Sequence, residues 1–349
     1  MKTIKEMARP VPVNGGFEME GYWVWDGGVV KGEDGKYHMF ASRVPKPWTL
    51  CPAFLFKSEI IHAICDTPYG PFQFYEVVFP ARGPEYWDGR STYNPQVRKV
   101  GDTYVMYYGG TTFIEDVPFE NHKEQIYRRT ALAHKRVGVA YSKSVYGPWE
   151  RSDYPLLVTR PGCGDSLLTS NPTACVNENG NVLMVYKGRN YDENRAGRVG
   201  LMRLLYATGK DSFSPLEREK DNELFPNLPE KLNNPYVEVE DPFIWYDNGY
   251  HIMTKDMTGA ICGEKYAGFH AFSKDGKDWT MDREVFYSRT IKFDNGEERR
   301  LGNMERPFLL FEDGKPICAY FSVTDATDEH GFMSPTCTKG WVIAVPLNP

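Results

Sequence analysis

A β-hairpin pattern that recurs five times along the chain constrains the fold more than any other feature. In the clearest copy, the carboxylates Glu240 and Asp241 stand directly before Pro242 and a run of aromatic and β-branched residues. A turn at 247–249, Asp-Asn-Gly, follows, and a second strand alternates apolar with polar residues. Asn-Gly between two such runs is a strong hairpin signal.

The five copies lie at regular spacing. Their equivalent positions are Gly27, Pro95, Pro172, Pro242 and Pro307, which are 68, 77, 70 and 65 residues apart. A hairpin followed by further strands at this period is the sequence signature of a propeller blade. We therefore expect an all-β, five-bladed β-propeller forming a single domain over 1–349. The blades should start near residues 22, 92, 169, 239 and 303, and the segment 1–20 should help to close the ring beside the last blade.

The composition excludes two classes of partner. The 349 residues carry a formal charge of −6, and basic residues occur only in short runs such as 127–129. Nucleic acids and anionic membranes bind clustered Lys and Arg, so we expect neither as a partner. No apolar run is long enough to span a membrane, and residues 1–16 show no secretory signal. We expect a soluble protein, cytoplasmic unless a signal peptide has been removed, in which case periplasmic or extracellular.

The polar residues at the hairpin entrances should meet at the propeller axis, because the innermost strand of every blade starts there. This set comprises Asp26, Asn94, Asn171, Glu240, Asp241, Glu305 and Arg306. Crowded carboxylates push each other's pKa values apart and so yield one acid and one base. Glycoside cleavage requires such a pair.

A structural interpretation competes with this one. Asp and Asn before Pro commonly form turns, and any single copy is explained in that way. Turn chemistry does not require a glutamate two positions before proline, as at Glu240 and Glu305. The set as a whole therefore favours a functional site.

Sugar-binding groups are expected around the carboxylates. Trp23 and Trp25 flank Asp26 closely enough to stack on a sugar ring. Arg43 and Lys187 follow the second strands of blades 1 and 3, and with Arg306 they place three cations near the pocket. These cations either bind hydroxyls or an acidic or sulfated sugar, or pair with the carboxylates. The charged insertion at 113–136 is expected to form a helix or a lid.

These motifs resemble the five-bladed propeller glycoside hydrolases of families 43 and 117 and the related families 32 and 68. In family 43 the base is an Asp in the first blade, a modulating Asp precedes proline in the third, and the acid is a Glu two residues before proline in the fourth. The resemblance in that register implies Asp26 as base and Glu240 as acid. The modulator position then falls on Asn171, which is not acidic.

A second register follows family 68, whose Trp-Asp, Asp-Pro and Glu-Arg-Pro motifs resemble Trp25-Asp26, Asp241-Pro242 and Glu305-Arg306-Pro307. It implies Asp26 as base or nucleophile, Asp241 as transition-state stabiliser and Glu305 as acid. We assign catalytic roles to Asp26, Asp241 and Glu305, with Glu240 as the competing acid. Asn94, Asn171 and the aromatic and cationic residues named above are assigned to substrate binding.

The resemblance implies a glycosidase that removes a terminal sugar from an oligosaccharide or polysaccharide. No cofactor is expected to be required, although some family 43 members hold a metal, so that a calcium-like cation in the channel is implied by resemblance. The acidic loop at 325–330 is interpreted as a polar loop rather than a cation site. Two alternatives stay open, a carbohydrate-binding propeller without catalysis and a propeller glycoside phosphorylase.

Overall fold

The computed structural model describes residues 1–113, 115–192, 194 and 199–349. Strands make up 44% of the residues and helices 8%, and the strands form a five-bladed β-propeller, which confirms the predicted fold class. Blade 1 contains β1 (Tyr22–Lys31), β2 (Tyr37–Pro45), β3 (Glu59–Cys65) and β4 (Gln73–Phe79). Blade 2 contains β5 (Ser91–Val100), β6 (Thr103–Thr111), β7 (Arg136–Ser142) and β8 (Glu150–Arg151).

The other three blades repeat this antiparallel order with fewer or shorter outer strands. Blade 3 contains β9 (Leu168–Val176), β10 (Val182–Arg189) and β11 (Arg203–Gly209). Blade 4 contains β12 (Val239–Tyr246), β13 (Tyr250–Asp256), β14 (Gly268–Ser273) and β15 (Thr280–Met281). A separate hairpin of β16 (Thr290–Lys292) and β17 (Glu298–Arg300) precedes blade 5, which contains β18 (Met304–Glu312), β19 (Lys315–Thr324) and β20 (Gly340–Pro346).

The first strand of each blade lies innermost and packs against the first strands of its neighbours. β1 contacts β5 and β18, β9 contacts β5 and β12, and β12 contacts β18. These contacts close the ring. The N-terminal segment lies beside blade 5, where Phe17 and Val342 exchange two backbone hydrogen bonds of 2.8 and 3.0 Å. This contact covers the outer edge of β20, whose residues are all buried.

A β-bulge interrupts every innermost strand at the same position. At each bulge one residue adopts the left-handed conformation, namely Asp26 (φ 54°), Asn94 (φ 56°), Asn171 (φ 50°), Asp241 (φ 57°) and Arg306 (φ 54°). Asp and Asn tolerate this conformation better than other non-glycine residues. Bulges re-aim side chains, and here they help to turn five polar side chains towards the axis. The five residues therefore have a local backbone role at the bulges, and they also meet at the axis as the repeat predicts.

Loops between the strands build the face above the axis. Helix α1 (Ile4–Met7) belongs to the N-terminal segment, α2 (Leu50–Ala53) to a loop of blade 1, α3 (Gln125–Ala133) to the insertion in blade 2, and α4 (Leu228–Lys231) to the connection before blade 4. The insertion thus contains the expected helix. The insertion and α2 pack together in one apolar cluster that includes Trp25 and Leu50. Among the described residues, no helix is long and apolar enough to cross a membrane.

Candidate active site

A cavity of about 230 Å³ opens at the propeller axis. Its floor is polar and its walls are mostly apolar, and ligand sites generally combine these features. The lining residues are Trp25, Asp26, Ser42, Val44, Leu50, Cys51, Phe54, Ser58, Tyr93, Asn94, Lys187, Glu240, Met257, Tyr266, Asn303, Glu305, Arg306, Glu329, His330, Phe332 and Met333. Ligand cavities commonly measure about 300–1,000 Å³, so this one suits a small ligand.

Two layers of equivalent residues surround the axis. The first, which we call the axial ring, consists of the five left-handed residues Asp26, Asn94, Asn171, Asp241 and Arg306. The second, the entrance layer, consists of the residues that precede them, which are Trp25, Tyr93, Ser170, Glu240 and Glu305. All of the entrance layer except Ser170 lines the cavity. The fivefold repeat thus brings together residues that are far apart in sequence.

Arg306 joins the two aspartates of the axial ring. Its Nε lies 3.1 Å from Asp26 Oδ1, and its Nη1 lies 2.9 Å from Asp241 Oδ1. Burial lowers the pKa of Arg306, but the carboxylates around it outweigh burial and raise the pKa above its ordinary value. Asn171 Nδ2 donates to Asp241 Oδ1 at 2.9 Å.

Asp26 is held by uncharged groups as well as by Arg306. Ser42 Oγ donates to its Oδ2 at 2.6 Å, and the Asn94 backbone N–H donates to the same oxygen at 3.0 Å. Asn94 Nδ2 donates to Oδ1 at 2.6 Å. Both carboxylate oxygens of Asp26 are therefore fixed by several partners.

A buried lysine holds the carboxylates on the other side of the cavity. The Nζ atom of Lys255, which is 1% exposed, lies 2.9 Å from Glu305 Oε1, 3.1 Å from Asp241 Oδ2 and 3.3 Å from Glu240 Oε2. Lys187 Nζ donates to Glu240 Oε1 at 2.5 Å. Glu240 thus has one ammonium group against each oxygen.

The two cavity glutamates have pKa values displaced in opposite directions. Burial raises the pKa of Glu240, but Lys187 and Lys255 outweigh burial and hold the pKa well below its ordinary value. Burial also raises the pKa of Glu305, and here Lys255 does not compensate because the negative charges of Asp241 and Glu240 add to the effect. The pKa of Glu305 therefore lies above its ordinary value. Two carboxyl groups with pKa values displaced in opposite directions therefore contact the same Lys255 ammonium group.

Several residues of the site were not identified from the sequence. Lys255 lies opposite Glu240 across the β12/β13 hairpin, as Ser42 lies opposite Trp25 across the β1/β2 hairpin. Counting residues outward from each hairpin turn along both strands would have placed Lys255 opposite Glu240 and Ser42 opposite Trp25. Asn303 Nδ2 donates to Glu305 Oε1 at 3.0 Å and precedes β18 by one residue.

Two of the predicted sugar-binding residues line neither the main cavity nor the space at the axial ring. Arg43 Nη2 lies 3.0 Å from Glu59 Oε2, and its guanidinium stacks on Tyr22. Side chains alternate along a strand, so Arg43 faces away from the cavity that its neighbour Ser42 lines. Trp23 donates from Nε1 to the Trp48 carbonyl at 2.7 Å and packs under the blade 1 loop.

The other predicted residues lie at the axis, at different depths. Trp25, Asp26, Asn94, Lys187, Glu240, Glu305 and Arg306 line the main cavity. Asn171 and Asp241 instead line a space of about 20 Å³ at the axial ring. Trp25 contacts the Phe332 ring edge-on, with the ring centroids 5.8 Å apart.

The calcium-like cation implied by the family 43 resemblance does not fit the axial ring. Arg306 contacts both ring carboxylates, so its guanidinium takes the place that a cation would need. Within the described part of the chain, no group of three or more His, Cys, Asp or Glu side chains is arranged to hold a metal. In the 325–330 loop, Asp325 accepts the Lys339 N–H at 2.9 Å and Asp328 accepts the Ser334 hydroxyl at 2.6 Å.

A preorganised loop forms one rim of the cavity. The buried Asp256 carboxylate accepts four backbone N–H groups of residues 258–262, at 2.7 to 3.0 Å. Tyr266 closes this loop by donating its N–H to the Asp256 carbonyl at 2.7 Å, and it has a φ of 65°. A bulky residue in this conformation is a backbone outlier, and such outliers cluster at functional sites.

Similarity to known proteins is found among solved structures, whereas no protein-family model and no curated protein sequence matches the chain. The structure of BT0996 in an RGII complex is 16% identical with a TM-score of 0.66, and the match covers 99% of this protein and 94% of BT0996. A family 117 glycoside hydrolase of the marine bacterium Zobellia galactanivorans, Zg3597, is 16% identical with a TM-score of 0.63, covering 98% and 89%. The endo-arabinase of Bacteroides thetaiotaomicron VPI-5482 is 13% identical with a TM-score of 0.59, covering 97% of each protein. The chain thus shares the propeller fold that glycoside hydrolases use, and the predicted resemblance to them is confirmed at the level of fold.

Proposed function

We propose that this chain is a glycosidase in which Glu305 donates a proton to the leaving oxygen and Glu240 is the ionised partner. One observation carries the proposal. Two glutamates with oppositely displaced pKa values face one cavity and share the Lys255 ammonium group. Titratable pairs whose environments push their pKa values apart are typical acid and base pairs of enzymes.

The charges around Glu305 suit a general acid. An acid must still hold its proton when the substrate binds, and the carboxylates Glu240 and Asp241 favour the protonated form of Glu305. Asn303 and Lys255 hold its carboxyl group in place. General acid catalysis by a positioned side chain typically contributes about 10²–10⁴-fold to the rate.

The spacing of the two glutamates favours retention of anomeric configuration. One oxygen of each lies within 3.3 Å of the same Nζ atom. These two oxygens are therefore less than about 6.5 Å apart, which is the lower limit of the carboxyl separation in inverting enzymes. In this mechanism Glu240 attacks the anomeric carbon while Glu305 protonates the departing oxygen. Water deprotonated by Glu305 then releases the sugar from Glu240.

Asp26 is the second candidate for the ionised partner, and both family registers favour it. It lines the cavity and is held by Ser42, Asn94 and Arg306, but it does not share the Lys255 ammonium group with the proposed acid Glu305, as Glu240 does. We propose that Asp26 and Asp241 position Arg306 and that Glu240 reacts. Because the axial ring closes the cavity from below, we also propose that the enzyme acts on chain ends.

The experiment is a screen of 4-nitrophenyl glycosides of both anomeric configurations, followed by NMR of the first-formed product. We expect hydrolysis with retention, a loss of about 10²–10⁴-fold in kcat/KM for Glu240→Gln, and a loss of the same size for Glu305→Gln on methyl glycosides, whose leaving group needs the proton. Arg43→Gln, outside the cavity, is the control and should keep its activity. Turnover that depends on inorganic phosphate would indicate a phosphorylase, and sugar binding without turnover in the whole panel would indicate a binding propeller.

A further inference from the structure

The hydroxyl group of Ser58 is a buried polar group that the proposed reaction does not use. Ser58 lies directly before β3, is 2% exposed and lines the main cavity. Among the described residues, its Oγ atom has no hydrogen-bond partner. Buried polar side chains are normally hydrogen-bonded, so an unpaired hydroxyl at a cavity requires an explanation.

The backbone of Ser58 is held in place without the help of this hydroxyl. Its N–H donates to Ser91 Oγ at 3.0 Å, and its carbonyl accepts the Thr92 N–H at 3.1 Å. Ser91 Oγ in turn donates to the Phe54 carbonyl at 2.8 Å. These bonds fix Ser58 against β5, the innermost strand of blade 2. The hydroxyl is therefore carried by a rigid support and does not itself hold the loop.

Ser58 differs from the other residues of the main cavity that carry a buried polar atom without a hydrogen-bond partner. In the part of the chain that the structure describes, these others are Asn94, through Oδ1, and Arg306, through Nε. Arg306 Nε lies in the ion pair with Asp26, and Asn94 lines the space at the axial ring as well. Ser58 lines the main cavity and not that space, so a ligand in the main cavity is the partner that its position favours.

We infer that Ser58 is a specificity residue whose hydroxyl forms a hydrogen bond with a hydroxyl group of the sugar in the cavity. The inference rests on the proposed function in that it treats the ligand of the same cavity as a sugar. A sugar hydroxyl both donates and accepts, as the serine hydroxyl does, so the two groups match in either direction. A site built in this way rejects an analogue that lacks the hydroxyl, because its own polar group would then stay unpaired.

The test combines affinity with stability, because the unpaired hydroxyl should affect the two in opposite directions. Isothermal titration calorimetry with D-galactose, D-glucose, D-xylose, L-arabinose, L-fucose and L-rhamnose identifies the sugar that the wild type binds most tightly. We expect Ser58→Ala to raise the Kd of that sugar by about 3- to 10-fold, the effect of one lost neutral hydrogen bond. Urea denaturation without sugar should show Ser58→Ala to be at least as stable as the wild type, because the variant removes an unpaired buried hydroxyl.

Ser273→Ala is the matched control. Ser273 is also buried, at 1% exposed, but its Oγ donates to Asp275 Oδ1 at 3.0 Å and accepts the Gly276 N–H at 2.8 Å. It does not line the cavity. Ser273→Ala should therefore lower the free energy of unfolding and leave the Kd unchanged, which is the reverse of the result expected for Ser58→Ala.

Three outcomes would overturn the inference. They are no binding of any sugar in the panel, a wild-type Kd in Ser58→Ala, which would mean that water and not sugar satisfies the hydroxyl, and a loss of stability in Ser58→Ala as large as that in Ser273→Ala. If Ser58→Ala does not fold, Ser58→Gly replaces it. Binding needs no turnover, so a raised Kd in a protein that hydrolyses no glycoside would refute the proposed function and leave this inference standing. Hydrolysis together with an unchanged Kd would do the reverse.

Discussion

The two sides of the central cavity use the same repeated motif for different purposes. On the side of blades 1 and 2, Asp26 is held mainly by the uncharged donors Ser42 and Asn94. On the side of blades 3 to 5, Glu240 and Glu305 are held by ammonium groups. Uncharged donors fix a carboxylate in place, whereas shared buried charges also set which carboxylate is protonated.

The residues on the second strands create this difference. Ser42 and Gly109 lie opposite the entrance layer in blades 1 and 2, whereas Lys187 and Lys255 lie opposite it in blades 3 and 4. An acidic residue at a hairpin entrance is therefore not sufficient to identify a catalytic group. The strand that faces it must be considered as well.

The largest expected effect distinguishes the reactivity of the two sides. Glu240→Gln should lower kcat/KM by about 10²–10⁴-fold, because it removes the ionised partner. Asp26→Asn should lower it by only about 10-fold, because the positioning group Arg306 loses one of its two carboxylate partners. Steady-state kinetics on the same glycoside compares the two. A larger loss of kcat/KM in Asp26→Asn than in Glu240→Gln would assign the role of base or nucleophile to Asp26, as both family resemblances imply.

The next effect distinguishes the stability of the two sides. Lys255→Met should lower the free energy of unfolding by about 3–5 kcal/mol, because three carboxylates would lose their shared counter-charge in a buried place. Ser42→Ala on the opposite side should cost about 1 kcal/mol, the contribution of an ordinary hydrogen bond. Urea denaturation measures both. Equal losses of unfolding free energy in Lys255→Met and Ser42→Ala would contradict the view that buried charges stabilise one side of the cavity more than uncharged donors stabilise the other.

The smallest effect concerns the rim above the charged side. Tyr266→Gly and Tyr266→Ala both remove the ring, but alanine retains the cost of a positive φ, about 1–2 kcal/mol, and glycine does not. We expect the glycine variant to be the more stable by about that amount, with the same reduced activity in both. Asp313→Gly, at a φ of 49° in the turn between β18 and β19, is a control that should leave activity unchanged. Wild-type activity in both Tyr266 variants would remove this residue from the site.

The sequence predicted the parts of the molecule that depend on local patterns. Turn residues and strand alternation predicted the five blades, and the equivalent positions Gly27 and Pro242 predicted that Asp26 and Asp241 would meet at the axis. Lys187 was assigned to the site from its place on the second strand of blade 3, but Lys255 was missed because the equivalent position opposite Glu240 was not counted back from the turn in blade 4. Arg43 was misplaced because it was assigned to the cavity without counting the alternation of side chains from Ser42.

The most direct test of the account is the pH dependence of kcat/KM, measured on the best glycoside with the wild type and with Lys255→Met. A general acid is active while protonated, so activity should fall as the pH rises through the pKa of Glu305, which lies above the ordinary value for glutamate. Removing the Lys255 charge should raise this pKa further and move the alkaline limb to higher pH. An alkaline limb that stays in place in Lys255→Met, or moves to lower pH, would contradict the assignment of Glu305 as the proton donor.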